Sequence, residues 1–229
     1  MLVLGIDSAT PAASVALADA DGLAGEISLN RGLTHSQQLL PMIDALLGQV
    51  GYAVGQVEGL AVSSGPGSFT GLRIGMTLAK GLAQSLNVPI AGIGTLEAAA
   101  CQAAVMDGWV SPMIDAFRGE VYAALYRKMD GALRLAEEPR GVLPEDWARR
   151  LLELGEPVAL AGNGAWNHRS VWEGSGDRLN LFIHPMSDLR ASVVAWMGRQ
   201  KLLRGEQDHL YELKPGYVRS VEIGRRKDS

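Results

Sequence analysis

The chain opens on an unbroken apolar run at residues 2–7 that closes on Asp7, which reads as a strand buried on both faces. A turn at 9–12, a strand at 14–18, the hairpin signal Asp19-Ala20-Asp21-Gly22 and a strand at 23–29 follow, so the first thirty residues predict an antiparallel meander. After a loop at 30–34 the period lengthens to that of a helix. Leu39, Ile43, Leu46 and Val50 make one stripe across 36–50, and Leu40, Met42 and Leu47 carry apolar character well round the cylinder. A strand at 59–63 runs into Ser64-Gly65-Pro66-Gly67-Ser68-Phe69-Thr70-Gly71 and then into a helix at 72–86 that stops near Asn87-Val88-Pro89. That helix has apolar Leu72, Met76, Leu78, Leu82 and Leu86 and a row of small residues, Gly71, Gly75, Ala79 and Ala83. A strand at 89–92 and a helix with Thr95 as its cap complete a β-β-β-α-β-α-β-α order.

The second half partly repeats this plan. Strands at 109–116 and 120–127 flank a turn at 117–119, the hairpin signal Met129-Asp130-Gly131 leads to a third strand at 132–138, and a helix at 144–154 starts with proline and two acids, as a helix N-terminus prefers. A strand at 158–161 then enters the Gly162-Asn163-Gly164-Ala165 turn and a shorter helix. A final helix at 187–203 carries Leu189, Val193, Trp196 and Met197 at helical spacing. The expected architecture is α/β with two lobes, each a mixed sheet with a meander and flanking helices. The expected lobes are 1–103, with a helix at 187–204 packing back onto it, and 104–186, followed by a tail at 205–229.

Composition changes this picture little. The chain has 229 residues, 47% apolar, and its 28 glycines exceed the usual share of about 7%, clustering at strand ends as architecture. A net charge of −4 argues against a chain that grips nucleic acid alone, since only Arg225-Arg226-Lys227 is locally basic. The single Cys101 excludes an intramolecular disulfide, and its alanine neighbours predict a small, inert, buried residue. With no secretory segment and no apolar run approaching the roughly 18 residues of a membrane span, the expected location is the cytoplasm.

Candidate chemistry starts at the glycine-rich turn, which predicts backbone N–H groups at a helix N-terminus, a place suited to anions. Leu72 stands where a Walker A lysine belongs and Thr70 replaces the third glycine of the dinucleotide fingerprint, so the loop is phosphate-compatible without being diagnostic. The alternative is a tight connection whose glycines serve helix–sheet packing. Asp7 and Asp115 end strands, where a carboxylate either organises a metal with its waters or caps a turn. Ser68 lacks the nucleophile-elbow spacing. His35, His168, His184 and His209 are scattered, so no metal site is expected. The two broadly apolar helices are either interior to their lobe or a protein-docking face, since a face that large exceeds what a soluble monomer exposes.

Gly5-Ile6-Asp7-Ser8-Ala9-Thr10, His35-Ser36 with Leu39-Leu40-Pro41, the stretch from Ser64 to Gly75, Asp115 with Arg118-Gly119-Glu120-Val121-Tyr122, and Pro215-Gly216-Tyr217-Val218-Arg219 together closely resemble the TsaB family, formerly YeaZ, over most of the chain. The resemblance implies an actin-like, sugar-kinase-like (ASKHA) fold and a non-catalytic scaffold or dimerisation subunit. Its partners would be the catalytic TsaD and the ATPase TsaE, in transfer of threonylcarbamoyl to adenosine 37 of tRNAs reading codons that begin with adenine. It also implies a homodimer when alone, contact with tRNA only through the complex, no membrane, and no cofactor for the isolated chain, with ATP and Mg²⁺ in the assembled complex. The implied partner face uses the first two helices: Leu39, Leu40, Ile43, Leu46, Leu47, Leu72, Met76, Ala79 and Leu82. Asp7, Ser8, Gly65, Gly67, Ser68, Thr70, Gly71 and Asp115 would face a phosphate, although Ser8-Ala9-Thr10-Pro11 lacks the glycine that lets the first hairpin of active members wrap one. The alternative is a small-molecule kinase of the sugar-kinase type that uses Asp7 and the loop from Ser64 to Gly71, with Asp115 as base.

Overall fold

The computed structural model describes residues 1–30, 35–116, 118–174, 179–181, 188–216 and 218. Its first strands are β1 (Val3–Asp7), β2 (Ala13–Ala18) and β3 (Leu23–Leu29), followed by α1 (His35–Val50), β4 (Gly59–Gly65), α2 (Phe69–Leu86), β5 (Ile90–Gly94) and α3 (Thr95–Ala103). The second half runs β6 (Gly108–Asp115), β7 (Val121–Met129), β8 (Ala132–Val142), α4 (Pro144–Leu152), β9 (Val158–Ala161), α5 (Asn163–Asn167), α6 (Arg169–Trp172), β10 (Leu179–Leu181) and α7 (Ala191–Leu203).

These elements form two five-stranded sheets, ordered β3-β2-β1-β4-β5 and β10-β9-β6-β7-β8. In each, the first strand pairs antiparallel with the second and parallel with the fourth, so one plan is used twice. The apolar run at the start forms the centre of the first sheet, with every residue of β1 and β2 buried, as a strand covered on both faces requires. One face of that sheet carries α1 and α2, where Leu4, Ile6, Leu39, Leu46 and Leu60 share a core. The other face carries α7, whose Ala191 and Ala195 meet Ala16 and Ala18. The second sheet packs around Met113, Leu125, Trp147, Leu160 and Trp172. Leu96 and Ala100 of α3 join Val110, Ile114 and Tyr126 in a further core, so α3 is wedged between the sheets.

Several elements differ from the sequence expectation, each for a local reason. Helix α2 begins three residues early, because the Ser68 hydroxyl accepts from the Gly71 N–H at 3.2 Å and caps it. Thr95 lies inside α3, not at its cap, and its hydroxyl accepts from the Gly65 N–H at 3.1 Å. Strand β8 extends to Val142, and its hairpin with β7 turns on Asp130 and Gly131, both in the left-handed region as the tight turn demands. The last helix starts at Ala191, later than expected, because Arg190 at its N-cap is extended and 188–190 are not helical (Ser187 lies outside the described residues), and its buried face is Ala191, Val194, Ala195, Gly198 and Leu202. Trp196 is 43% exposed, whereas Gly5 admits the helix so closely that a Cβ there would lie 2.7 Å from the Ala191 oxygen. Cys101 is exposed on α3, not buried, and its thiol is held above its ordinary value by desolvation and by the Glu97 carboxylate.

Candidate functional site

Strands β1 and β4 are parallel neighbours, so their ends bring Asp7 beside the glycine-rich turn. Asp7 is fully buried. Its Oδ1 accepts from the Ser63 hydroxyl at 2.5 Å and from the Ala9 N–H at 3.2 Å, while Oδ2 has no hydrogen-bond partner among the described residues. Desolvation dominates, with a smaller push from Asp188, and these outweigh the hydrogen bonds to raise the carboxyl to about 7.

The glycine loop is spent on the chain's own first hairpin. The Ser8 hydroxyl donates to the Gly71 oxygen at 2.9 Å, and the Ser68 N–H donates to the Ala9 oxygen at 2.7 Å. A Cβ on Gly67 would run into the Ala9 oxygen, one on Gly71 into the Ser8 oxygen, and one on Gly75 into the Ser8 hydroxyl, all closer than real Cβ atoms come. On its outer side Gly65 faces the Gly216 oxygen, and the Gly216 N–H donates to Ser64 at 2.6 Å. Of the residues expected to face a phosphate, Asp7 and Ser8 are therefore interior, Gly65, Gly67 and Gly71 are packing positions, Ser68 is a helix cap, and Thr70 is exposed at the start of α2. The glycine pattern marks close chain-on-chain approach, the alternative the sequence left open.

Asp115 ends β6 across the cleft. Its N–H donates to Asn163 Oδ1 at 3.1 Å, and its Oδ2 accepts from Asn167 Nδ2 at 2.7 Å. Between it and the first hairpin is a cavity of about 30 Å³, bounded by Thr10, Pro11 and Ser68 on one side and Asp115, Asn163 and Asn167 on the other. A small-molecule pocket occupies roughly 300–1,000 Å³, so this cavity by itself is far smaller than one that holds a nucleotide. Asp7, the other carboxylate of the kinase reading, lies behind the hairpin. The Ser68 hydroxyl serves the α2 cap, and His35 spends Nε2 on the Thr10 oxygen at 3.0 Å. Among the described residues no three His, Cys, Asp or Glu side chains gather as metal ligands, and His184 lies outside them.

The first two helices divide their apolar residues unevenly. Leu39, Ile43, Leu46, Leu47, Leu72, Met76 and Ala79, all expected on a partner face, are buried in the chain itself. Leu40 is 55% exposed and Leu82 half-buried. A groove of about 460 Å³ runs between α1 and α2, walled by His35, Leu40, Arg73, Ile74, Thr77 and Leu78 and floored by Leu39. Beside it the Arg73 guanidinium lies 3.8 Å over the ring of Phe69, itself 52% exposed. Sequence reasoning named Leu78 among the apolar residues of the second helix but missed Arg73, Ile74 and Thr77 as groove residues. Ile74 and Leu78 stand at helical spacing, which was the signal available for them.

The sequence model of the family described as "TsaD: tRNA N6-adenosine threonylcarbamoyltransferase" matches residues 31–161. The chain is 38% identical over 225 residues to the Escherichia coli (strain K12) "tRNA threonylcarbamoyladenosine biosynthesis protein TsaB", covering 96% of this chain and 95% of that protein. Among solved structures it is similar to YeaZ from Pseudomonas aeruginosa, with a TM-score of 0.75 at 26% identity over 95% of this chain and 99% of that one. The ROK hexokinase from Thermus thermophilus shares the fold alone, at a TM-score of 0.50 and 12% identity over 90% of this chain and all of that one.

Proposed function

The chain belongs to the TsaB family of tRNA threonylcarbamoyladenosine biosynthesis proteins, and from that premise we propose that it is the accessory subunit that docks, through the exposed side of α1 and α2, onto the catalytic partner TsaD. It takes part in the transfer of threonylcarbamoyl to adenosine 37 of cytoplasmic tRNAs reading codons that begin with adenine, with TsaE as the third component, and it pairs with a second copy of itself when alone. The supporting observation is the contrast between its two concave surfaces. The cavity beside the chain's own hairpin is about 30 Å³, whereas the groove between α1 and α2 is open at about 460 Å³ and edged by Leu40 and Arg73. A protein whose cleft is filled and whose helix face is open is suited to presenting a surface to another protein, not to turning over a nucleotide.

The test separates the two surfaces. Leu40→Glu and Thr77→Glu, both at exposed positions, place carboxylates in the groove and are expected to abolish pairing and tRNA modification by the reconstituted complex, with melting temperatures unchanged. Asp115→Asn is expected to leave modification intact. Loss of activity with Asp115→Asn while assembly persists, or full assembly of the groove variants, overturns this reading.

A further inference from the structure

Beside the Asp115 and Asn167 wall of the cleft, the end of the second sheet carries Arg118, Trp166 and Arg169, which line neither the cavity nor the docking groove. The hydrogen bond from Asn167 to Asp115 ties the end of α5 to the last residue of β6, and the turn after β6 presents an exposed Arg118 at φ 57 immediately before Gly119 at φ 83. On the α5 side of that bond the Arg169 guanidinium lies 4.9 Å over the half-exposed Trp166 ring and donates to the Trp166 oxygen at 3.4 Å. Six arginines elsewhere, Arg127, Arg140, Arg149, Arg150, Arg190 and Arg204, hold carboxylates in ion pairs, whereas Arg199 donates to the Met1 oxygen and Arg134 holds no carboxylate among the described residues. Among the described residues Arg118 and Arg169 hold none. The nearest acids in sequence are Asp115, whose Oδ2 is taken by Asn167, and Glu120 and Glu173. A chain of net charge −4 thus keeps Arg169 on an aromatic ring and Arg118 in the turn after β6, joined to α5 through Asp115 and Asn167, neither with a carboxylate partner among the described residues.

We propose that this rim is a direct contact for RNA: an unpaired base stacks on the Trp166–Arg169 pair, and Arg118 and the N–H edge of Arg169 take backbone phosphates. The Arg169 guanidinium spends one N–H on the Trp166 oxygen, which leaves its other donors for the planar, two-pronged recognition that phosphate invites. Any base offers a face to an aromatic platform, so the site needs no sequence code. The rim adds a contact from this chain itself to the expectation that tRNA is met only through the complex. It rests on the tRNA-modification reading for the source of the RNA.

The test uses the full chain assembled with its catalytic partner and an unmodified tRNA transcript, titrated at several salt concentrations. The double variant Arg118→Ala, Arg169→Ala is expected to weaken binding and to lower the slope of log affinity against log salt by about 1 to 2. Trp166→Ala is expected to weaken binding roughly fivefold or more without changing the slope. Arg169→Lys, which keeps the charge, should keep the slope and lose part of the affinity. A double variant that melts and assembles as wild type yet binds tRNA with unchanged affinity and slope overturns the rim. So does a double variant that is folded but fails to assemble, since the rim is then a protein contact. A wild-type complex that fails to modify tRNA overturns the functional reading instead, and arginine-dependent, salt-sensitive binding in that complex still upholds the rim.

Discussion

Asp7 shows how a single residue can keep a motif's identity and lose its setting. In sequence it closes a strand before a turn, the position of a phosphate-organising carboxylate. In the fold it is sealed behind residues 8–10, with one oxygen served by Ser63 and Ala9 and the other unserved. The consequence is a pH dependence of known sign. The carboxyl titrates near 7 in the folded chain and near 3.8 unfolded, so between those values the folded state holds a proton that the unfolded state has released. Rising pH then favours unfolding, and the stability that protonation lends is lost as pH climbs through about 7. Asp7→Asn keeps an oxygen for Ser63 and removes the titration. Urea unfolding at pH 5 and pH 8 is expected to show the variant gaining on wild type as pH rises, by roughly 3 kcal/mol, at ~1.4 kcal/mol for each of the about two pH units between pH 5 and the folded pKa. Equal gains at both pH values would contradict the buried, titrating carboxyl.

Helices α1 and α2 show why an apolar count does not locate an interface. The stripe of Leu39, Ile43 and Leu46, together with Met42 and Leu47, turns to the sheet, and only the flank with Leu40 remains outside. Both sides of such a helix look alike in sequence, because burial against a sheet and burial against a partner select the same side chains. Glycines are similarly ambiguous until the neighbours are known. Gly71 faces the Ser8 backbone, whereas Gly48, late in α1, has open space around it. Gly71→Ala is expected to destabilise the chain by roughly 2 kcal/mol or more through displacement of the first hairpin, and Gly48→Ala to stabilise it by about 0.4–1 kcal/mol through the unfolded state. Thermal melts of the two variants against wild type check both signs. Helix α7 shows a related limit: its buried face mixes Ala191, Ala195 and Gly198 with Val194 and Leu202, and Trp196 stays 43% exposed.

At the scale of the molecule, the same strand plan builds both sheets, and the chain's last described helix completes the first. Because α7 covers the face of β1 and β2 opposite α1 and α2, a chain ending at residue 190 would leave Ala16, Ala18, Ala61 and Val3 in water. It is expected to lose cooperative unfolding altogether, read as a broad, baseline-less melt by circular dichroism. A sharp transition in that truncated chain would show that the first sheet stands without its late helix. The repeat of meander, parallel strand and helix was visible in the hydrophobic periods and in the turn signals at Asp19-Ala20-Asp21-Gly22 and Asp130-Gly131, since these are local properties of a backbone and its immediate side chains. The return of residues 213–216 to Gly92 and Ser64 was not, since nothing local marks which strand edge a distant segment will cover.

The sequence by itself determined the order of strands and helices, the central place of β1, and the two-lobed family plan, because period, turn chemistry and the long glycine segment are written residue by residue. Tertiary structure alone decided that the glycines admit a hairpin where a phosphate was expected, that most of the helical ridge belongs to the interior, and that Arg118, Trp166 and Arg169 share one rim. Those outcomes depend on which distant segments, such as Gly65 and Gly216, 151 positions apart, come within van der Waals reach, and a linear pattern carries the capacity for such contacts without their identity.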